Sequence, residues 1–516
     1  MAKKAQSQGE VFLVGAGPGN PGLLTLRAKE LIETADVLVH DNLVHPTFMD
    51  FVGKGCECIY VGKRAKCHAK TQEQINSLLV QKASEGKKVV RLKGGDPYIF
   101  GRGSEEAKKL TDAGISFEVV PGVTAAAGAA AFSGTPLTTR ETNSTLVIVT
   151  GHENPDKPET TVDWSSLPKE SATVCIYMGV SKLELISENL LAAGFSGETP
   201  VACVEWATMG HQRVCRGTLN TIAGEAKAFG LKAPAITIIG ESAGMSEDLS
   251  WFEKKPLQGR RLVVTRSKGQ ASELSKKLEL LGAEVIGLPL IEISRNVDEQ
   301  TAKDVFAEIA SYDWLVFSSP NGVRFFFETF FENFKDIRSL GFIRIAAVGK
   351  STAKEVEKYF VSVDLIPEEA NADSLADALV ATDSLDSAKV LIVTGNLGRD
   401  VLVKKLDEAR AIVDRFEVYK TAPTELKEHP AAKMFREQGA DAIIFTSSSG
   451  VKNFVDQAKN LIVEEGATRP KTVSIGPITT ESMKKLGMPM DIQAKEASLD
   501  SLVDALVKRF GKEVGL

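Results

Sequence analysis

Aromatic residues make up only 7% of the 516-residue chain, and cysteine occurs six times. Six cysteines over such a length fit a reducing compartment rather than a disulfide-stapled scaffold. No apolar run approaches the roughly 18 residues that cross a bilayer; the richest, Ala125 to Phe132, is far too short. The segment Met1 to Glu10 is polar and lacks an apolar signal core, so the expected location is the cytoplasm. The net charge of −6 lacks the basic excess of a nucleic-acid binder. Neither nucleic acid nor membrane is therefore an expected partner. A metal-ligand spacing is also missing. Cys56, Cys58, Cys67 and His68 come nearest, but they fit no zinc or iron–sulfur pattern. Cys56 and Cys58 read instead as alternating positions entering a strand at Ile59-Tyr60-Val61, and no metal is expected.

What is present, 43% hydrophobic and 25% charged residues, describes a globular protein of several domains. Short β-rich runs alternate with longer helical patterns, the signature of an α/β fold with parallel sheets. Val11 to Val14, Val37 to Val39, Val89 to Leu92 and Phe117 to Val120 read as strands. Leu23 to Thr34, Gln72 to Glu85 and Ser104 to Ala113 read as helices. Pro136 to Asn143 breaks the rhythm, and the pattern lapses into a polar, proline-containing linker between Glu241 and Gly259. The expected division is 10–250 (subdomains 10–138 and 143–250), a linker at 251–258, and a second half at 259–512.

The second half repeats itself. Asp313-Trp-Leu-Val-Phe-Ser-Ser-Pro-Asn-Gly-Val returns as Asp441-Ala-Ile-Ile-Phe-Thr-Ser-Ser-Ser-Gly-Val, an offset of 128 residues. Ala347-Val-Gly-Lys-Ser-Thr returns as Ser474-Ile-Gly-Pro-Ile-Thr, and Asp373-Ser-Leu-Ala-Asp-Ala-Leu as Asp500-Ser-Leu-Val-Asp-Ala-Leu, both offset by 127. So long a period excludes a solenoid, whose units run to about 20–50 residues. It points to two similar α/β lobes with a ligand cleft between them.

Two glycine clusters carry the chemistry of the first half. Gly15-Ala-Gly-Pro-Gly-Asn-Pro-Gly22 follows a strand and opens a helix, where glycine lets backbone approach a ligand. It departs from the dinucleotide fingerprint: position 20 is Asn, prolines interrupt the loop, and the strand-end acid, Asp41, comes late. The second cluster sets Gly94-Gly95-Asp96 directly after a strand. A carboxylate there can accept from an amino or ribose group of a ligand, or cap the turn that follows.

These stretches resemble uroporphyrinogen-III C-methyltransferase, of the tetrapyrrole-methylase fold. The resemblance runs in order through Gly15-Ala-Gly-Pro-Gly, Pro21-Gly-Leu-Leu-Thr-Leu-Arg-Ala, Val61-Gly-Lys-Arg, Arg91-Leu-Lys-Gly-Gly-Asp-Pro and Phe100-Gly-Arg-Gly. It continues in Val119-Val-Pro-Gly-Val-Thr-Ala-Ala, Gly134-Thr-Pro-Leu-Thr, Val149-Thr-Gly-His and Tyr177-Met-Gly, covering about 10–250. It implies S-adenosylmethionine as cofactor, held between two subdomains by Pro18, Gly94, Gly95, Asp96, Ile99, Thr124, Ala125, Met178 and Ala207. It implies Asp41 as general base and Lys63 as proton donor. Relatives often have Tyr at His40, Arg at Asn42 and Gly at Ala207. The implied substrate carries eight carboxylates, so cations should line the mouth. Lys63, Arg64, Arg91, Lys93, Arg102, Arg140, His152 and Arg213 are the candidates, each also readable as an ordinary solvated charge.

The second half shows no nucleophile–base pair, metal cluster or phosphate loop. Hydroxyl-rich turns recur after strands instead: Ser318-Ser319, Thr352, Thr446-Ser447-Ser448 and Thr479. Such turns bind carboxylates or cap helices, and taken singly each favours capping. As a set, with Leu262-Val-Val-Thr-Arg266, Ala347-Val-Gly349, Val418-Tyr-Lys-Thr421 and Ile475-Gly-Pro477, they resemble uroporphyrinogen-III synthase over about 258–512. That family's lobes interleave, implying one lobe at 259–293 plus 424–512 and another at 297–418, both of Rossmann-like or flavodoxin-like parallel-sheet type. The resemblance implies Tyr419 as an active-site residue, with Thr352, Thr479 and Ser447 in the cleft. The implied reactions are closure of hydroxymethylbilane to uroporphyrinogen III with inversion of ring D, and double methylation to precorrin-2. Three alternatives stay open: a C-terminal half that binds a tetrapyrrole without catalysis, a methylase of another tetrapyrrole, and a nicotinamide enzyme. The resemblance also implies a homodimer through the first half. The product's destination, sirohaem, cobalamin or another branch, is open.

Overall fold

The computed structural model describes residues 9–53, 55–62, 70–151, 162–265, 272–398, 400–427 and 429–511. Lys63, Arg64, Cys67, His68 and His152 lie outside the described residues. Among the described residues, no helix is long and apolar enough to cross a membrane.

Strands β1 (Glu10–Gly15), β2 (Val37–His40), β3 (Glu57–Tyr60), β4 (Lys88–Lys93) and β5 (Phe117–Val120) form a parallel sheet in the order β3-β2-β4-β1-β5. Val11 to Val14 are all buried, as a strand covered on both faces requires. Helices α1 (Leu26–Glu33), α2 (Gln72–Ser84) and α3 (Gly103–Asp112) connect the strands. Thr71 and Gln74 close a reciprocal capping box at the start of α2, which satisfies donors the helix cannot satisfy itself. A parallel sheet wound this way places all its strand-to-helix turns along one edge, where ligands bind in open α/β sheets. Asp41, Gly94-Gly95-Asp96 and the Gly15–Gly22 loop all fall on that edge.

Helix α4 (Ala125–Ser133) leads to the second sheet, which departs from the all-parallel expectation. Strands β6 (Thr145–Thr150), β7 (Ala172–Tyr177), β8 (Pro200–Glu205), β9 (Arg213–Thr218) and β10 (Ala235–Ile239) run in the order β6-β7-β10-β8-β9. Only β6 and β7 are parallel; the other pairings are antiparallel. The cause is local: β8 and β9 are joined by a loop too short for the crossover that parallel neighbours need.

Ten further strands complete the chain: β11 (Arg261–Thr265), β12 (Glu284–Leu288), β13 (Ile291–Arg295), β14 (Trp314–Phe317), β15 (Arg344–Ala347), β16 (Lys389–Gly395), β17 (Ile412–Pro423), β18 (Ala442–Phe445), β19 (Lys471–Ser474) and β20 (Ile492–Gln493). They form two sheets, β12-β11-β18-β19-β20 and β13-β17-β16-β14-β15, parallel apart from the β13–β17 pair. The sequence repeat has a physical counterpart. Asp364 Oδ2 accepts from Ile345 N at 2.7 Å, and Asp491 Oδ2 from Thr472 N at 2.8 Å. Likewise Asp313 Oδ2 accepts from Lys389 N at 2.9 Å, and Asp441 Oδ2 from Arg261 N at 2.8 Å. The scarce aromatics concentrate here: Phe325, Phe326, Phe327 and Phe330 of the helix Pro320–Asn333 pack with Phe306, Phe317 and Phe416 in one core. Each such burial stabilises by about 1.5–3 kcal/mol.

The segment 241–259 is not a loose linker. Phe252 and Leu257 are buried, Phe132 packs edge-on against Phe252, and Leu257 joins the core beneath β11. A polar composition concealed these two anchors. The halves also meet at the β8–β9 loop. Gly259 N donates to Gly210 O at 2.8 Å, Gln258 Nε2 donates to Gln212 O at 2.6 Å, and His211 Nδ1 lies 3.1 Å from Glu284 Oε1.

Candidate functional site

The two glycine loops of the first sheet bond to each other. Gly95 N donates to Gly17 O at 2.7 Å, and Gly17 N to Gly95 O at 3.2 Å. Gly15, Gly95 and Gly122 then cross so closely that a Cβ on Gly122 would lie 2.3 Å from Gly95 O and 2.8 Å from Gly15 Cα. Asp96 closes the crossing: its Oδ1 accepts from Tyr98 N at 2.8 Å and its Oδ2 from Gly122 N at 3.1 Å. Capping and ligand contact are therefore compatible, because each carboxylate oxygen keeps a second lone pair.

The second subdomain meets this edge directly. Tyr177, at the end of β7, places its hydroxyl 2.5 Å from Thr124 Oγ1 and accepts from Ala126 N at 2.9 Å. It thereby supplies the cap that Thr124, the N-cap residue of α4, does not make with its own side chain. Asn20 N donates to Thr208 Oγ1 at 3.0 Å, and a Cβ on Gly128 would strike Pro18 and Thr208. Pro18, Gly94, Gly95, Asp96, Thr124 and Ala125 thus lie on loops that contact one another, while Met178 and Ala207 follow the ends of β7 and β8. Met178 (φ 56°), Trp206 (φ 46°) and Thr208 (φ 72°) hold left-handed backbone, which costs about 1–3 kcal/mol each and clusters at ligand sites. Ile99 and Met178 remain exposed at 36% and 49%. Exposed apolar side chains on strained loops, beside the N-terminus of α4, suit a ligand with an aromatic ring system and charged groups.

Asp41 sits at the end of β2. Its Oδ1 accepts from Leu43 N at 3.0 Å, and its Oδ2 lies 3.3 Å from Arg91 Nη2. Arg91 and Lys93 were expected among the cations at the mouth, and the structure corrects this. They are 4% and 5% exposed and turn onto Glu106 of α3, which is fully buried. Arg213, exposed, pairs with Glu205 and donates to Phe229 O and Gly230 O at the end of the helix Ile222–Phe229. Arg102 is exposed in a bidentate pair with Glu105, both bonds 2.7 Å, and Arg140 is exposed. Lys63 and Arg64 lie outside the described residues. Glu106 escaped the sequence reading, although its spacing of 15 from Arg91 carries a strand residue onto the following helix.

In the second half, Tyr419 of β17 places its hydroxyl 3.0 Å from Ser319 Oγ and stacks on Phe325. A Cβ on Gly395 would lie 2.4 Å from the Tyr419 ring, so glycine there seats the ring. Ser319 caps the helix Pro320–Asn333 through Gly322 N, and Ser447 caps the helix Ser448–Asp456 through Gly450 N. Capping is what these serines do within the chain. Thr352 and Thr479 occupy the first turns of the helices Lys350–Glu357 and Pro477–Lys485, 0% and 5% exposed. Thr352 Oγ1 is buried with no hydrogen-bond partner among the described residues. Tyr419, Ser319 and Thr352 share the strand-end edge of one sheet; Ser447 and Thr479 share the equivalent edge of the other.

A family model described as Tetrapyrrole (Corrin/Porphyrin) Methylases matches residues 10–223, and one described as Uroporphyrinogen-III synthase HemD matches 272–504. The chain is 36% identical over 506 residues to a porphyrin biosynthesis protein HemD of Ruminiclostridium josui, covering 98% of this chain and 99% of that one. It is 32% identical over 473 residues to a uroporphyrinogen-III C-methyltransferase of Bacillus subtilis, covering 91% and 92%. Its first half is 50% identical over 233 residues to an S-adenosyl-L-methionine-dependent uroporphyrinogen III methyltransferase of Methanosarcina barkeri, covering 45% of this chain and 91% of that one. With matches of this extent over both halves, the chain belongs to the family of enzymes that join a tetrapyrrole methylase to a uroporphyrinogen-III synthase HemD.

Proposed function

We propose that the second half closes hydroxymethylbilane to uroporphyrinogen III, and that the first half methylates this product twice with S-adenosylmethionine to give precorrin-2. The observation that carries the reading is the crossing of Gly15, Gly95 and Gly122 with Asp96 bonded into it, on the same sheet edge as Asp41. The cleft fits the cofactor in kind: apolar Ile99 and Met178 suit an adenine ring, Asp96 retains lone pairs for amino or hydroxyl donors, and α4 offers N–H groups to a carboxylate.

When bound, S-adenosylmethionine supplies an electrophilic methyl group to a pyrrole carbon. The chain's own residues align the partners and handle protons. Asp41, held by Leu43 N and Arg91, is the carboxylate that takes the proton released from the alkylated ring. Lys63 is the proposed donor, and Arg64, Arg102 and Arg140 the proposed partners of substrate carboxylates. In the second half, the Tyr419 hydroxyl assists departure of the substrate's hydroxyl as a hydrogen-bond donor, while Thr352, Thr479 and Ser447 contact its side chains. The fused halves bring maker and consumer of one macrocycle together. A homodimer through the methylase half and a cytoplasmic location belong to the same reading.

The test supplies the purified chain with hydroxymethylbilane and S-adenosylmethionine and resolves products by mass and isomer. Dimethylated type III product without added synthase is expected. Methylation only of added uroporphyrinogen III would reduce the second half to a binding module, and unmethylated type III product would refute the first-half reading.

A further inference from the structure

Behind Asp41 lies a closed set of charges that alignment of the reactants does not require. Glu106 of α3 is 0% exposed, and its Oε1 takes three donors: Lys93 Nζ at 2.9 Å, Gln72 Nε2 at 3.1 Å and Arg91 Nε at 3.3 Å. Its Oε2 is buried with no hydrogen-bond partner among the described residues. Arg91 forks: Nε faces Glu106, Nη2 faces Asp41 at 3.3 Å, and Nη1 reaches Val39 O and Leu92 O. The guanidinium is planar, so holding one edge on Glu106 fixes where the other edge presents its N–H to Asp41. Burial and the neighbouring Arg91 push the Lys93 ammonium below the usual lysine range, while Glu106 and Asp41 oppose that.

A buried charge group is a weak source of stability, because desolvation offsets the attraction. Two cations and two carboxylates arranged this way, three of them nearly dry and the fourth at the ligand edge, make sense as a device that sets the field at the fourth. Resting on the reading of Asp41 as the methylase base, we propose that Glu106 is a positioning residue for methyl transfer: through Arg91, and with Lys93 seated on the same carboxylate, it fixes the orientation of Asp41. Among the described residues, Arg102, the N-cap residue of α3, also faces Glu106, and Glu105 of α3 faces Lys93; the two pair with each other at the surface. Gln72, from α2, is neutral and reports the hydrogen bond alone.

The full chain is assayed with uroporphyrinogen III and S-adenosylmethionine, as wild type, Glu106→Gln, Asp41→Asn and the double variant. Glu106→Gln is expected to lower kcat by about tenfold or more and leave the KM for S-adenosylmethionine within about threefold. The double variant should be no slower than Asp41→Asn, since the two losses lie on one path. A wild-type kcat in Glu106→Gln, or a raised KM with kcat unchanged, would overturn the proposal, as would losses that multiply in the double variant. Arg91→Lys, which keeps every charge but removes the fork, answers the same question if Glu106→Gln does not fold: about the same kcat loss is expected, and a wild-type rate overturns the idea. Full activity in Asp41→Asn would instead sink the assignment of Asp41, whatever Glu106→Gln does.

Discussion

Gly122→Ala tests the crossing of the glycine loops. The added Cβ would stand 2.3 Å from Gly95 O, 2.8 Å from Gly15 Cα and 2.9 Å from Gly15 C. Ordinary contact for a Cβ begins at 3.4 Å, so the strand ends must part by about 1 Å. All three obstructing atoms are backbone, so no side chain can rotate away. The shift combines overpacking with loss of the Gly122 N–H bond to the Asp96 carboxylate, together about 3–5 kcal/mol. In a half of this size that lowers the melting temperature by roughly 10 °C. The turn carrying Asp96 moves with it, and affinity for S-adenosylhomocysteine should fall about 10- to 100-fold by calorimetric titration. Gly224→Ala is the matched control. Its Cβ meets nothing within 4 Å in the helix Ile222–Phe229, so it should stabilise by up to about 1 kcal/mol and leave binding unchanged. Gly122→Ala with affinity within twofold of wild type and an unmoved melting temperature would refute the packing argument.

Three other perturbations probe different parts of the molecule. Tyr177→Phe keeps the ring against Phe100 but strips Ala126 N of its acceptor, so it should destabilise by about 1–3 kcal/mol and weaken cofactor binding in parallel; intact stability on thermal melting would show that α4 needs no such cap. Tyr419→Phe preserves the stacking on Phe325 and loses only the contact to Ser319; type III formation should slow about 10- to 100-fold with little change in melting, and an unchanged rate would remove Tyr419 from the chemistry. His45 has its ring largely withdrawn from water, which pushes its pKa from 6.5 down to about 4, while its Nδ1 accepts from Thr47 N. The unfolded chain therefore binds more protons than the folded one between these values, so stability is full above pH 6.5 and falls as pH drops towards 4. His45→Asn can still cap Thr47 and should flatten that slope in denaturant titrations across pH 4–7; equal slopes would refute the linkage.

The motifs that follow strands were legible because they are local. Gly15–Gly22, Gly94-Gly95-Asp96 and the repeated Asp313 and Asp441 segments each encode a turn that the backbone must make wherever the chain goes. Glycine is needed at Gly95 (φ 70°), and a strand of uninterrupted Val, Phe and Leu must be covered on both faces. Charge partners were not legible. Arg91 and Lys93 read as mouth cations, yet they lie buried on Glu106, because α3 packs on the face of β4 that carries both side chains. Period-two alternation puts 91 and 93 on one face but does not say whether water or a helix lies there. The anchoring of 241–259 by Phe252 and Leu257 escaped for the same reason. Sequence by itself determined the turns, the repeat and the residue types at the strand ends. Tertiary structure decided which charges are dry and paired and which stay exposed, because desolvation depends on what packs above a side chain, and residues distant along the chain supply that cover.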